Sequence, residues 1–495
     1  MIMEKQERFL RGAGILLPIF SLPSEFGIGA LDEAAYRFVD FLKGAGQKYW
    51  QILPLNPTGF ADSPYQSSCA FAGNPYFLDI SKILPKNVSE ELKREFSEYI
   101  DYYELFQKRI KILRQNFSKV PNQYIDLYLA FCEENKFWLD DFSLFMSIKE
   151  KNGYKPWLEW DDENLKKRNN DALKEFSLNN SKEIEFWKYI QFLFFSQWNS
   201  LKSYANEKGI AIIGDLPIYV SLDSSDVWAN RSLFLLNKEG YPLEVAGVPP
   251  DSFSNDGQLW GNPIYDWNAM EKDGFLWWKR RLEFSSKLYD AVRIDHFIGF
   301  VNYYSIPYGA LDAKNGEWKS GPGRHLIDTW RDISNIKIIA EDLGNVTDEV
   351  NELLKESGFP GMKVLQFAFS SGYDNRYLPH NYEENCVLYG GTHDNQTLVG
   401  YFSGANESEV NFACNYLNIE NKSPAAISEE IIRAGLESKA DIAVFSIQDY
   451  LALDDRARIN TPSVLEGNWR WRVSEKFLTQ ELSDKIRELC VKYGR

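Results

Sequence analysis

Apolar residues along this chain gather in short unbroken runs, each ending at a polar or Pro/Gly-rich turn. The runs are 14–19 (GILLPI), 49–55 (YWQILPL), 210–216 (IAIIGDL), 291–295 (AVRID), 336–341 (IKIIAE), 364–369 (VLQFAF), 386–389 (CVLY) and 442–447 (IAVFSI). None alternates polar with apolar. Each therefore reads as a strand buried on both faces, as in a parallel sheet. Between most of them the period changes to helical. Residues 31–43 carry apolar positions at helical spacing and stop at Gly44; 183–208 form a long aromatic helix ended by Gly209; 347–357 begin at Thr347 and stop at Gly358. Eight buried strands alternating with helices predict an α/β fold, a (β/α)8 TIM barrel. A doubly wound sheet is the alternative, but no GxGxxG or Walker motif follows any strand.

The spacing is uneven, so the barrel must carry helical and loop insertions. Residues 67–182 read as a helical insertion, with charged outer faces over 90–115. Residues 223–285 read as loop-rich and as the wall of a substrate groove, because Gly247, Pro249, Pro250, Gly257, Gly261 and Pro263 punctuate 223–268. Residues 403–439 read as a second helical insertion. With no Ser/Gly linkers, 1–495 is expected to be one catalytic barrel with no separate C-terminal β-sandwich domain.

Barrel enzymes keep their chemistry at the C-terminal ends of the strands. Strand three ends near Asp215, strand four at Arg293, Asp295 and His296, and strand five at Glu341 and Asp342. Strand seven runs into Gly391-Thr392-His393-Asp394-Asn395. A lone acid is usually a cap or a surface ion pair, and Asp394-Asn395 alone could be a turn. Acids collected at one end of a barrel repel one another, an arrangement usually kept for function. Arg293 and Asp295 stand two apart and share a strand face, where the guanidinium favours a carboxylate suited to nucleophilic attack. A proton donor must come from Glu341 or Asp342. These point to opposite faces, and spacing alone leaves both open. One nucleophile and one donor are the minimum for retaining glycoside chemistry. Metal-dependent hydrolysis ranks lower without HExxH or a histidine pair at ligand spacing, and serine chemistry lacks GxSxG.

Composition narrows the partners. The formal net charge of −16 disfavours nucleic acid and anionic membranes and leaves a neutral substrate untroubled. Aromatic residues reach 15%; most must be core, and some can stack on sugar rings in loops. The loop 248–263 holds Asp251, Phe253, Gln258 and Trp260. Residues 461–471 hold Asn468, Trp469 and Trp471, and Tyr65 and Tyr76 follow strand two. The five scattered cysteines form no CxxC or CxxH pattern, against a disulfide framework or zinc site. No leader pattern or membrane-length apolar run is present, so a soluble cytoplasmic protein is expected.

At these residues the chain resembles the amylomaltase (4-α-glucanotransferase) family of the wider α-amylase group. The matching segments are YWQILPLNPTG (49–59), DSPYQS (62–67), FAGNPY (71–76), IIGDLPIYV (212–220), AGVPPDSFS (246–254), GQLWGNP (257–263), VRIDHF (292–297), IAEDLG (339–344), GMKVLQFAF (361–369), GTHDN (391–395) and GNWRWR (467–472). They run in family order across nearly the whole chain. The resemblance implies that Asp295 is the nucleophile, that Glu341 rather than Asp342 is the general acid and base, and that Asp394 grips substrate hydroxyls and stabilises the transition state. It implies supporting contacts from Arg293, His296 and His393, and a glucan groove lined by Tyr65, Asp215, Asp251, Gln258, Trp260 and Asn468, with Phe253 in the same loop. It implies no metal or organic cofactor. The substrates would be maltooligosaccharides and starch- or glycogen-derived glucans, whose segments pass to the 4-hydroxyl of an acceptor. A glucan hydrolase with the same carboxylates is the alternative, and a non-catalytic glucan-binding barrel is disfavoured by the complete acid set. The chain departs from some family members at Ser370 and Ser371, where they carry acids, and at Ser252, where others have Tyr. Both sites bear on acceptor preference and ring formation.

Overall fold

All but one of the apolar runs supply a strand of a closed parallel sheet in the computed structural model, which describes residues 6–250, 254–330, 333 and 336–495. The strands are β1 (Gly12–Leu16), β2 (Tyr49–Gln51), β3 (Ala211–Leu216), β4 (Ala291–Ile294), β5 (Lys337–Ala340), β6 (Gly361–Val364), β7 (Cys386–Tyr389) and β8 (Ile442–Ser446). Each pairs in parallel with the next along the chain, and β8 closes onto β1 with Gly12 opposite Ile442. The fold is thus a (β/α)8 barrel.

The two-residue strand period divides the core. Ile213, Ala291, Ile339, Val387 and Val444 pack together inside the barrel, while Ile212, Val292, Ile338, Leu388 and Phe445 join the larger core under the helices. Continuing the inward set toward the C-terminal ends reaches Asp215, Arg293, Asp295 and Glu341. The strand pleat therefore delivers these four side chains to the barrel mouth. At the opposite end, Tyr49 fills the interior beside Gly14, where any Cβ would stand 2.8 Å from that of Tyr49.

The insertions pack on this frame. Between β2 and β3 lie helices Tyr102–Asn116, Ile125–Glu134, Lys136–Lys151, Asn170–Asn179 and Ser181–Glu207. Helices Leu398–Gly404, Glu407–Leu417 and Pro424–Glu437 lie between β7 and β8. Most of the aromatic excess is core: Trp50, Trp157, Trp160, Trp187, Trp198, Trp228 and Trp278 are fully enclosed. Among the described residues, no helix is long and apolar enough to cross a membrane.

Two expectations need correction. The stretch read as loop contains strands Glu244–Val248 and Gln258–Pro263. With Asn302–Pro307 and Glu317–Ser320 they form a four-stranded antiparallel sheet beside the barrel. Its pairing is long-range, and glycines inside the strands hide it from local pattern. The sixth barrel strand occupies Gly361–Val364, not 364–369. The Asp342 carboxylate accepts the Met362 N–H at 2.6 Å at the start of β6, while Leu365–Phe367 already turn as a 3-10 helix. The apolar run beyond Val364 is buried against the outer core without being ladder.

Candidate active site

Arg293 organises the barrel mouth. Its Nη1 donates to both Asp215 oxygens at 2.8 Å, and its Nη2 donates to Asp295 Oδ1 at 2.8 Å. Burial works against the guanidinium charge, but the two carboxylates outweigh it and lift its pKa well above the ordinary value. The partners differ in access: the Asp215 side chain is 0% exposed and that of Asp295 is 26% exposed. Asp215 is thus a buried counter-charge, also receiving the Tyr65 hydroxyl at 2.7 Å. Asp295 keeps Oδ2 without a hydrogen bond among the described residues, on a side chain that is partly exposed.

Glu341 directly follows the neighbouring strand β5, and its side chain is buried. Burial raises its pKa to about 8 against the pull of Arg293, and Asp295 adds to the rise. Its Oε2 accepts the His296 main-chain N–H at 2.6 Å and its Oε1 that of Leu343 at 3.1 Å. The adjacent Asp342 faces away, toward Met362 N–H and Arg376. Strand alternation therefore separates the two acids, and only Glu341 meets Arg293 and Asp295.

His296 directs its N–H at Glu341 from a left-handed backbone, φ 50°. A non-glycine residue in that region stores strain and is held there by its surroundings. Its ring is buried, which lowers its pKa to about 4, and its Nε2 has no hydrogen-bond partner among the described residues. The ring meets Trp260 edge-on at 4.9 Å. Trp260 in turn donates its indole N–H to Gln258 Oε1 at 3.1 Å. The antiparallel sheet thus brings Gln258 and Trp260 to the site.

The loop after β7 supplies the opposite wall. His393 stacks on Tyr65 with ring centres 5.3 Å apart, and Trp469 leans on both. The Asp394 side chain is 42% exposed, and its Oδ1 accepts Asn460 Nδ2 at 2.6 Å. Asn395 serves the turn itself, its Oδ1 accepting Thr392 N–H and Oγ1. Asn468 spends its amide on its own loop, through Thr461 and Val464. Asp251 and Phe253 lie outside the described residues. Sequence reasoning missed Asn460 and Arg458, whose Nη2 donates to Asp394 O at 2.7 Å. Neither has a local signal, because both act across the gap between two strand-end loops.

One partly exposed carboxylate and one buried carboxyl inclined to hold its proton are the two environments that separate a nucleophile from an acid catalyst.

The family model for 4-alpha-glucanotransferase matches residues 17–479. The chain is 47% identical over 487 residues to the 4-alpha-glucanotransferase of Clostridium butyricum, covering 96% of this chain and 99% of that protein. It is 42% identical to that of Thermus thermophilus over 97% of this chain and 98% of that protein. Among solved structures it resembles the amylomaltase from Streptococcus agalactiae in complex with acarbose, with TM-score 0.94 and 39% identity over 98% of this chain and 99% of that one. Amylomaltase from Corynebacterium glutamicum shares the fold at TM-score 0.79 and 17% identity, over 97% of this chain and 75% of that one. The chain belongs to the 4-α-glucanotransferase family.

Proposed function

We propose that this protein cuts α-1,4-glucans and re-attaches the released segment to the 4-hydroxyl of another glucan or of glucose, by a retaining double displacement. Maltooligosaccharides and starch- or glycogen-derived glucans are its substrates. The observation that carries this reading is the contrast between Asp295, ion-paired and partly exposed, and Glu341, buried with its pKa lifted to about 8.

In the first step Asp295 Oδ2 attacks the anomeric carbon, and the glycosidic C–O bond breaks as Glu341 gives its proton to the leaving oxygen. Retention by this route goes with carboxyl groups about 5–5.5 Å apart. In the second step Glu341, now ionised and held by the His296 and Leu343 N–H groups, takes the proton of an acceptor 4-hydroxyl. That oxygen displaces Asp295. Asp394 holds ring hydroxyls as charge develops on the sugar. Tyr65 and Trp260 offer ring faces on which sugar rings stack, backed by buried His393 and Trp469, with Gln258, His296 and Asn468 nearby. An acceptor seated there displaces water from the intermediate, which favours transfer over hydrolysis.

Incubation with pure maltotriose tests the reading. Oligosaccharides longer than the trimer, with accumulating glucose, support transfer. Glucose and maltose alone would make water the acceptor and the protein a hydrolase.

A further inference from the structure

The loops after β7 and β8 are joined by several side chains, Asp455 binding Gln396 and Thr397 and Asn460 binding Asp394, and Arg458 makes the joint nearest the Asp394 main chain. Half-buried Arg458 donates from Nη2 to the Asp394 carbonyl and from Nε to the Asn460 carbonyl, both at 2.7 Å. Asn460 closes the bridge in return: its N–H donates to His393 O at 3.1 Å and its amide to Asp394 Oδ1 at 2.6 Å. Just beyond, Trp469 N–H donates to Ile459 O, and the Trp469 ring lies against His393 and Tyr65.

We propose that Arg458 is a positioning residue for the transfer reaction. Holding two carbonyls from different loops with one planar fork, it fixes the Asp394 carboxylate relative to the barrel and makes the ring wall move with it. The inference rests on the role given above to Asp394. Lysine cannot reproduce this geometry: its ammonium is a point charge on a flexible stem, whereas the guanidinium offers fixed, divergent N–H vectors. Arg458 makes no hydrogen bond or ion pair with Asp295 or Glu341 among the described residues, so its effect on the reaction passes through Asp394. A misplacement of about 1 Å is enough to cost on the order of 100-fold in rate.

The test uses the full chain and maltotriose disproportionation. Arg458→Ala and Arg458→Lys are compared with the parent for kcat, KM and melting temperature, with the double variant Arg458→Ala/Asp394→Asn alongside. Expected are kcat losses of about 10- to 100-fold in both single variants with KM changed less than about 3-fold. Added guanidinium should restore part of the rate of Arg458→Ala, and the double variant should be no slower than Asp394→Asn alone. Full activity in Arg458→Lys, a loss confined to KM, or losses that multiply in the double variant would overturn the proposal. If Asp394→Asn alone kept full activity, the role of Asp394 would fail instead. If Arg458→Ala does not fold, Arg458→Lys and Arg458→Gln carry the same kcat-against-KM comparison.

Discussion

The main-chain N–H of His296 donates to Oε2 of Glu341 at 2.6 Å, so the residue following Asp295 holds the partner carboxyl. The two acids are therefore tied through backbone, not merely adjacent. The left-handed turn at His296 is the cost of that tie. The bond favours ionised Glu341 and opposes the burial that favours the protonated form. A group that must give a proton and then accept one is served by such opposing influences.

The lifted pKa of Glu341 sets a pH window. An unfolded glutamate titrates near about 4.3, and the folded value is about 8. The fold binds this proton more tightly, so its stabilising contribution is complete below about 4.3 and is lost as pH rises through about 8. Glu341→Gln should therefore gain melting temperature relative to the parent as pH climbs across that window. It should lose about 10²- to 10⁴-fold in kcat/KM, and the parent's rate should fall above about pH 8. Melting curves whose difference is flat from pH 5 to 9 would contradict this assignment.

His296 gives the opposite sign. Its folded pKa of about 4 lies below the ordinary value of about 6.5, so its contribution is present above about 6.5 and is lost as pH falls through about 4. Nitrogen NMR of labelled histidine should find His296 neutral at pH 5, and a charged ring at that pH would refute it.

Arg293 is the counter-ion of a carboxylate with no solvent access. Arg293→Met should cost about 3–5 kcal/mol in urea unfolding, because Asp215 is left buried without its cation. A loss below about 1 kcal/mol would mean that the Tyr65 hydroxyl suffices for Asp215.

At the far end of the barrel, buried Arg495 donates to the carbonyls of Gly435, Leu436, Ser438, Ala440, Asp441 and Gly12. It staples the approach to β8 onto the start of β1. Arg495→Ala should lower stability by about 2–3 kcal/mol and leave kcat unchanged, since this face of a barrel serves stability. Unfolding and maltotriose kinetics on one preparation check both halves. A fall in kcat with no loss of stability would contradict the division between the two faces.

Much of this architecture is legible in the chain. Seven of the eight strands announce themselves as apolar runs, and the period of two places Arg293 beside Asp295 and separates Glu341 from Asp342. What escaped detection is pairing between distant segments. The strands at Glu244–Val248 and Gln258–Pro263 acquire their ladders only from each other and from Asn302–Pro307. The run beginning at Val364 is apolar because it is buried, not because it continues the strand. Asn460 and Arg458 sit beyond any local rule, since their partners His393 and Asp394 come from another loop. Asn468, placed in the groove by resemblance, has its amide engaged with Thr461 and Val464.

The most direct measurement is intact-protein and peptide mass spectrometry of Glu341→Gln after brief exposure to α-maltotriosyl fluoride. Fluoride needs no proton to leave, so the first step proceeds while the second stalls without its base. A maltotriosyl adduct on Asp295, absent from the Asp295→Asn/Glu341→Gln double variant, is the expected result. An adduct on another residue, or turnover to β-configured product with no adduct at any time, would contradict the double displacement.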